Sequence, residues 1–125
     1  MVDDNYKTFQ VDMFNVFNNI LKSINSNSRE PFLLEKDKIS MGASRKDGFY
    51  FRIIPLIKDS RNNEWAIQIW INPNGKNIPG YVHRIVVSKS DGYTAKQLQQ
   101  ARNDALTKIR EYLAKTASNP RRRAA

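Results

Sequence analysis

Apolar side chains recur at spacings of three and four near the start of the chain: Tyr6, Phe9, Met13, Val16, Phe17, Ile20, Leu21 and Ile24. That period lays them along one side of an α-helix, so the spacing predicts an amphipathic helix over residues 4–25, with Asp3 or Asp4 at its N-cap. The asparagine-rich SINSNSRE and then Pro31 end it. Residues 31–48, PFLLEKDKISMGASRKDG, carry weaker signals: FLLE and KISM are short candidate strands, while Gly42 and Asp47-Gly48 are turn signals. From residue 49 the aromatic and β-branched run FYFRIIPLIK predicts a strand, in which Pro55 marks an edge position or a bulge. DSRNN turns the chain, EWAIQIWIN (64–72) predicts a second strand, and GYVHRIVVS (80–88) a third. Residues 91–115 return to the helical period, with Leu98, Ala101, Ala105, Ile109, Tyr112 and Leu113 on one stripe and Asp91 or Thr94 as cap.

The pattern therefore predicts an α+β fold: an N-terminal helix, an antiparallel sheet of three to four strands, and a long C-terminal helix packed on one face. The length of 125 residues fits one domain, placed at residues 1–118. Residues 119–125 follow as a disordered basic tail, breaking at Pro120 and carrying the three arginines at 121–123.

Strand alternation separates two faces. Trp65, Ile67, Ile69 and Ile71 fall on one side, and Ala66, Gln68, Trp70 and Asn72 on the other. The isoleucine side must meet the helices, which puts Trp70 on the opposite, polar face beside Gln68. Tyr50, Arg52 and Lys58 belong by the same count with Trp70. In the third strand both faces mix polar with apolar residues, so either His83 or Arg84 joins them. Between the second and third strands, WINPNGKNIPG concentrates turn chemistry and reads as a tight hairpin tip with Lys76 at its end.

Charge gives this face a partner. The formal net charge is +9. Residues 1–60 hold nine Lys/Arg against eight Asp/Glu, whereas residues 61–125 hold twelve against four, so the second half carries the field. A soluble basic domain points to a polyanion, nucleic acid first and an acidic membrane surface second. Aromatic rings interleaved with cations offer a place for unstacked bases while the backbone is neutralised. The candidate nucleic-acid-binding residues are Tyr50, Arg52, Lys58, Gln68, Trp70, Lys76, His83, Arg84 and Lys89. The competing reading covers the same aromatic face with a second subunit or with the N-terminal helix.

Other chemistry is thinly represented. The chain has no cysteine and one histidine, which excludes disulfides, thiolate zinc sites and a histidine metal cluster. Glu64 and Asp59 are poor material for a paired-carboxylate site, and Gly75 and Gly80 lack any nucleotide-binding spacing. A non-enzymatic protein without metal or cofactor is expected. With no apolar run of membrane-spanning length and an acidic start, MVDDNYK, the expected place is intracellular, with no membrane partner.

WINPNGKNIPG, followed by YVHRIVVS and a terminal helix, gives residues 49–113 a resemblance to the single-stranded-DNA-binding fold of the coactivator positive cofactor four, shared in outline with the plant Whirly proteins. In that family an aromatic strand likewise enters a Pro-x-Gly hairpin and a basic strand leaves after Pro-Gly. The resemblance implies a homodimer whose helices pair on one side of the sheets, with single-stranded DNA on the open faces near Trp70, Arg52, Lys76 and Arg84. The chain departs from the family in its N-terminal helix, in the longer connection VVSKSDGYT, and in a first strand that must come from residues 31–48. The order helix, three strands, helix also resembles the double-stranded-RNA-binding domain, whose last helix TAKQLQQARNDALTKIREYL matches in outline; Lys89 and Lys96 would then meet phosphates. An aromatic face suits unpaired bases better than an A-form duplex. The expected activity is single-stranded nucleic-acid binding, DNA before RNA. Duplex-RNA binding and a structural or assembly role, in which the aromatic face is a protein interface, are the alternatives.

Overall fold

A computed structural model of the chain describes residues 4–26, 30–36, 40–59, 64–89 and 92–117. Helix α1 spans Asp4–Asn25, five strands follow as β1 (Leu33–Lys36), β2 (Met41–Ser44), β3 (Tyr50–Asp59), β4 (Glu64–Asn72) and β5 (Tyr81–Ser88), and helix α2 closes the chain at Ala95–Ala117. The strands pair antiparallel in sequence order, β1-β2-β3-β4-β5, so every connection is between neighbours. The fold is α+β as the pattern predicts, but the sheet has five strands where three to four are expected. The extra strands come from residues 31–48, each only four residues long and too short to announce a period. Gly42, which reads as a turn, lies inside β2 opposite Arg52.

Both helices pack on one face of the sheet, α1 over β2 and β3, α2 over β4 and β5. The α1 stripe buries Phe9, Met13, Phe17 and Ile20 against Phe51, Ile53, Ile69 and their neighbours. Phe17 and Phe51 meet with ring centroids 5.5 Å apart, and Phe32 stands edge-on to Phe51 at 5.0 Å. Ala101 and Ala105 give α2 a small-residue stripe that lets its backbone approach the strands, with Ile109 filling the far end. Each fully buried large side chain contributes about 1.5–3 kcal/mol relative to exposure, and this layer is where they concentrate.

Polar contacts fix the helices to each other and to the sheet. Asn25 closes a two-bond latch on Phe32: its Nδ2 donates to the Phe32 carbonyl at 3.1 Å, and its Oδ1 accepts from the Phe32 amide at 2.8 Å. Arg102 on α2 donates to Asn19 Oδ1 (2.6 Å) and Ser23 Oγ (3.2 Å) on α1. Tyr93 donates to Asp12 Oδ2 at 2.6 Å and packs its ring at a tilt against Phe9 and edge-on against Trp65. Thr94 is the cap of α2: its Oγ1 accepts from the Gln97 amide at 3.1 Å while Gln97 Oε1 accepts from the Thr94 amide at 2.8 Å, a reciprocal capping box. Asp3, Asp91 and the whole of 119–125, with its arginines, lie outside the described residues.

Pro55 is accommodated without breaking β3. The described pairing with β2 ends at Ile53, two residues before Pro55, while Pro55 still lies opposite Ile67 of β4. The register then shifts between Leu56 and Asp59. Among the described residues no helix is long and apolar enough to cross a membrane.

Candidate nucleic-acid interface

The sheet face turned away from the helices is read directly from the register. Across the strands, Arg52 lies opposite Trp70 and Trp70 opposite Val82; in the next row Ile54 faces Gln68 and Gln68 faces Arg84; beyond them Leu56, Ala66 and Val86 align. Residues opposite each other in an antiparallel ladder share a face. Trp70 therefore stands where the alternation puts it, 40% exposed, while Ile67, Ile69 and Ile71 are fully buried on the other side. The indole is held in place: Trp70 Nε1 donates to Gln68 Oε1 at 2.8 Å. That bond occupies the one polar atom of the ring and leaves its flat face for packing.

Tyr50 also lies on this face, opposite Asn72, but it is only 4% exposed and offers no stacking surface. Its ring lies against β2, where a Cβ on Gly42 would stand 2.8 Å from the Tyr50 hydroxyl; glycine is needed there to make room. The Arg52 guanidinium lies 5.5 Å and the Lys76 ammonium 5.4 Å from the Tyr50 ring centroid, within cation–π range. Burial raises the Tyr50 hydroxyl above its ordinary pKa of 10.0, against the opposing pull of the Arg52 charge and hydrogen bond. Tyr50 thus holds two cations in place, whereas the sequence pattern offers it as a stacking ring.

Lys76 arrives by a route the sequence does not announce. The loop after β4 folds back on itself: the Gly75 amide donates to the Asn72 carbonyl at 3.3 Å, the Ile78 amide to the Gly75 carbonyl at 3.2 Å, and Asn72 Nδ2 to the Lys76 carbonyl at 3.2 Å. Gly75 has φ of 126°, open to glycine and strained for other residues. A side chain on Gly80 would collide with the Ile71 carbonyl and with Asn72, so the loop closes only on glycine. The result is a hairpin bent over the sheet instead of a projecting basic tip, with Lys76 Nζ 2.7 Å from Glu35 Oε1 on β1.

Tyr50, Arg52, Ile54, Trp70, Asn72, Lys76 and Asn77 enclose a basin of about 310 Å³ on the open face. A larger hollow of about 680 Å³ runs beside α1 at Asn15, Asn18, Asn19, Lys22 and Asn25. Two of its amides are already engaged, Asn19 by Arg102 and Asn25 by Phe32, and no aromatic ring lines it. The basin beside Trp70 is smaller but combines a flat ring, two cations and two amide side chains, and is the better candidate.

The remaining expected residues divide. Arg84 is on the open face, 2.9 Å from Glu64 Oε2. His83 is not: it lies opposite Ile69 on the helix side, with Nε2 3.0 Å from the Tyr112 hydroxyl. Of the two residues left open by the mixed pattern of the third strand, register selects Arg84, because its neighbour across the ladder is Gln68. Lys89 is exposed just beyond β5, at the end of the sheet away from the basin. Lys58 belongs to β3, but its side chain lies outside the described residues. The pattern missed Glu35 and Glu64, which meet Lys76 and Arg84 and moderate the positive charge of the face. Glu64 shares the parity of Gln68 and Trp70, so the signal was present; Glu35 needed the register of β1.

Comparison with protein-family models, curated proteins and solved structures gives no match. Among the described residues no group of histidine, aspartate and glutamate side chains is placed to hold a metal ion.

Proposed function

We propose that this chain binds single-stranded nucleic acid, DNA in preference to RNA, on the open face of its sheet, and that it does so without catalysing a reaction. The observation that carries this reading is the basin beside Trp70, where an exposed indole adjoins two cations pinned over Tyr50. A base stacks on the free face of Trp70, and the adjoining phosphate is met by Arg52 and Lys76. Arg84 continues the track on the far side of Trp70. Each stacked base contributes about 1–3 kcal/mol by alanine substitution, while phosphate contacts make the affinity fall steeply with salt. Unpaired bases are favoured over a duplex because a base has to leave its stack to lie on the ring, and a duplex interior offers none.

The second reading is a protein interface, favoured by Val82, exposed opposite Trp70, and Val86, exposed two rows further along the same face. Titration of labelled single-stranded DNA, single-stranded RNA and duplexes at two salt concentrations, followed by tryptophan fluorescence, separates the two. Nucleic-acid binding predicts quenching by single strands and a steep salt slope. Equal or absent binding of all three ends the proposal and leaves the protein interface.

A further inference from the structure

We infer that a nucleic-acid strand held at Trp70 continues round the β5 edge of the sheet onto a second stacking platform, formed by Tyr81 packed on Tyr112 of α2. The inference rests on the proposed binding at the open face and adds where the strand goes next. β5 is the last strand of the sheet, so a chain leaving the open face there passes its free edge. Trp70 lies opposite Val82 and Ile71 opposite Tyr81, so Val82 and Tyr81 are consecutive residues pointing to opposite faces. Neighbouring strands are about 4.7–4.9 Å apart, and the backbone positions of Trp70 and Tyr81 differ by one strand and one residue. Both rings are exposed, Tyr81 at 51%, and exposed Val82 lies between them.

The platform on the helix side is an aromatic pair with cations at its rim. The Tyr81 and Tyr112 ring centroids are 4.6 Å apart with planes tilted by 32°, close to an offset stack. The Tyr112 hydroxyl lies 3.0 Å from His83 Nε2, which ties the inner ring to the strand. Tyr81 stays half exposed in this arrangement, so a base can extend the stack outwards. Lys108, Tyr112 and Lys115 follow one another at i, i+4 and i+7 and share one face of α2. Lys108 is tempered by Glu111, 3.5 Å away, whereas Lys115 Nζ lies 5.0 Å from the Tyr112 ring centroid and is placed to meet a phosphate beside the pair. The opposite edge is built differently. β1 exposes Leu33 and Leu34, has no aromatic residue, and carries the Glu35 carboxylate that meets Lys76. Aliphatic side chains give a base no ring to stack on, and a carboxylate repels phosphate, so the strand is directed towards β5.

The test compares two single-stranded DNA oligonucleotides, of about 4 and about 16 nucleotides, which bracket the site sizes of single-strand binders. The short one fits the Trp70 basin alone, and the long one also reaches Tyr81. In anisotropy titrations Trp70→Ala should weaken both. Tyr81→Ala should weaken the long oligonucleotide by about 5-fold or more and leave the short one unchanged, while Tyr81→Phe, which keeps the ring, should bind both as the unaltered chain does. Lys115→Gln should lower the salt slope of the long oligonucleotide by about 0.7 and leave that of the short one alone. Tyr81 and Lys115 are exposed, so the variants should keep the circular dichroism spectrum of the unaltered chain. Binding of neither oligonucleotide, or an unchanged affinity of Trp70→Ala for both, ends the open-face reading and this inference with it. If Trp70→Ala weakens both but either Tyr81→Ala or Lys115→Gln fails to single out the long oligonucleotide, the second platform is overturned and the open-face reading stands.

Discussion

The two faces of β4 are built from adjacent residues and have opposite fates. Ile67, Ile69 and Ile71 are fully buried beneath the helices, while Gln68 and Trp70, one step along, lie on the opposite face, where Trp70 lines a basin open to solvent. The covered face is largely apolar and is stabilised mainly by burial. The open face is held by polar and aromatic contacts: Trp70 to Gln68, Arg52 and Lys76 over Tyr50, Lys76 to Glu35 and Arg84 to Glu64. One face buries the core of the domain against the helices, and the other leaves Trp70 and its polar neighbours open to solvent.

The contrast is broken most severely from the covered side. Ile69→Ala should cost about 2–5 kcal/mol of stability in urea unfolding, the range for large-to-small changes in a packed core. Val82→Ala on the open face, at a side chain 53% exposed, should stay within about 0.5 kcal/mol in the same measurement. Trp70→Ala reverses the ranking: single-stranded DNA affinity should fall by about 1–3 kcal/mol by fluorescence-independent titration, with little change in unfolding midpoint. A loss of stability as large as that of Ile69→Ala would place Trp70 in the fold instead of the site.

Alkaline pH sharpens the comparison by using one tyrosine from each side. Burial first, then the hydrogen bond to the Asp12 carboxylate, holds the Tyr93 hydroxyl far above its ordinary 10.0, and burial also raises Tyr50. A folded-state pKa raised above the unfolded value favours the neutral phenol, so this stability is fully present below about pH 10 and is lost as pH rises beyond it, where the unfolded chain ionises first. An absorbance titration should therefore show less tyrosinate in the folded chain than in the urea-unfolded chain above that pH. Equal titration would mean that neither hydroxyl is shielded.

The smallest expected effects concern Glu35 and Glu64. Each occupies a cation that a phosphate would use, so Glu35→Gln and Glu64→Gln should tighten single-strand binding by about 0.2–1 kcal/mol at low salt, the scale of an exposed ion pair. The gain should shrink as salt is raised. Weaker binding in either variant would show that the carboxylate positions its cation for the ligand instead of competing for it.

Much of the fold was legible because its signals are local. The α1 stripe, the β4 limits and the Trp70 face all follow from periods counted over a few residues, and Thr94 carries its own capping partner three positions on, in Gln97. β1 and β2 were not legible to the same degree, since four residues hold barely two turns of the alternation and Gly42 carries a turn signal inside a strand. The candidate site was legible in part. Parity brought Arg52, Gln68 and Trp70 together, but it is silent on how deep a residue lies, and so Tyr50 reads as a platform when it is a buried support. His83 and Arg84 could be separated only by which residue stood across from each on β4.

Sequence by itself determined which side chains share a strand face and which helices have a stripe to bury, because both are set by backbone geometry at short range. Tertiary structure alone decided that the loop after β4 folds back, that Lys76 meets Glu35 forty-one positions earlier, and that the two cations converge over one ring. Those meetings depend on the order and register of five strands, and a contact between distant residues leaves no period in the chain that makes it.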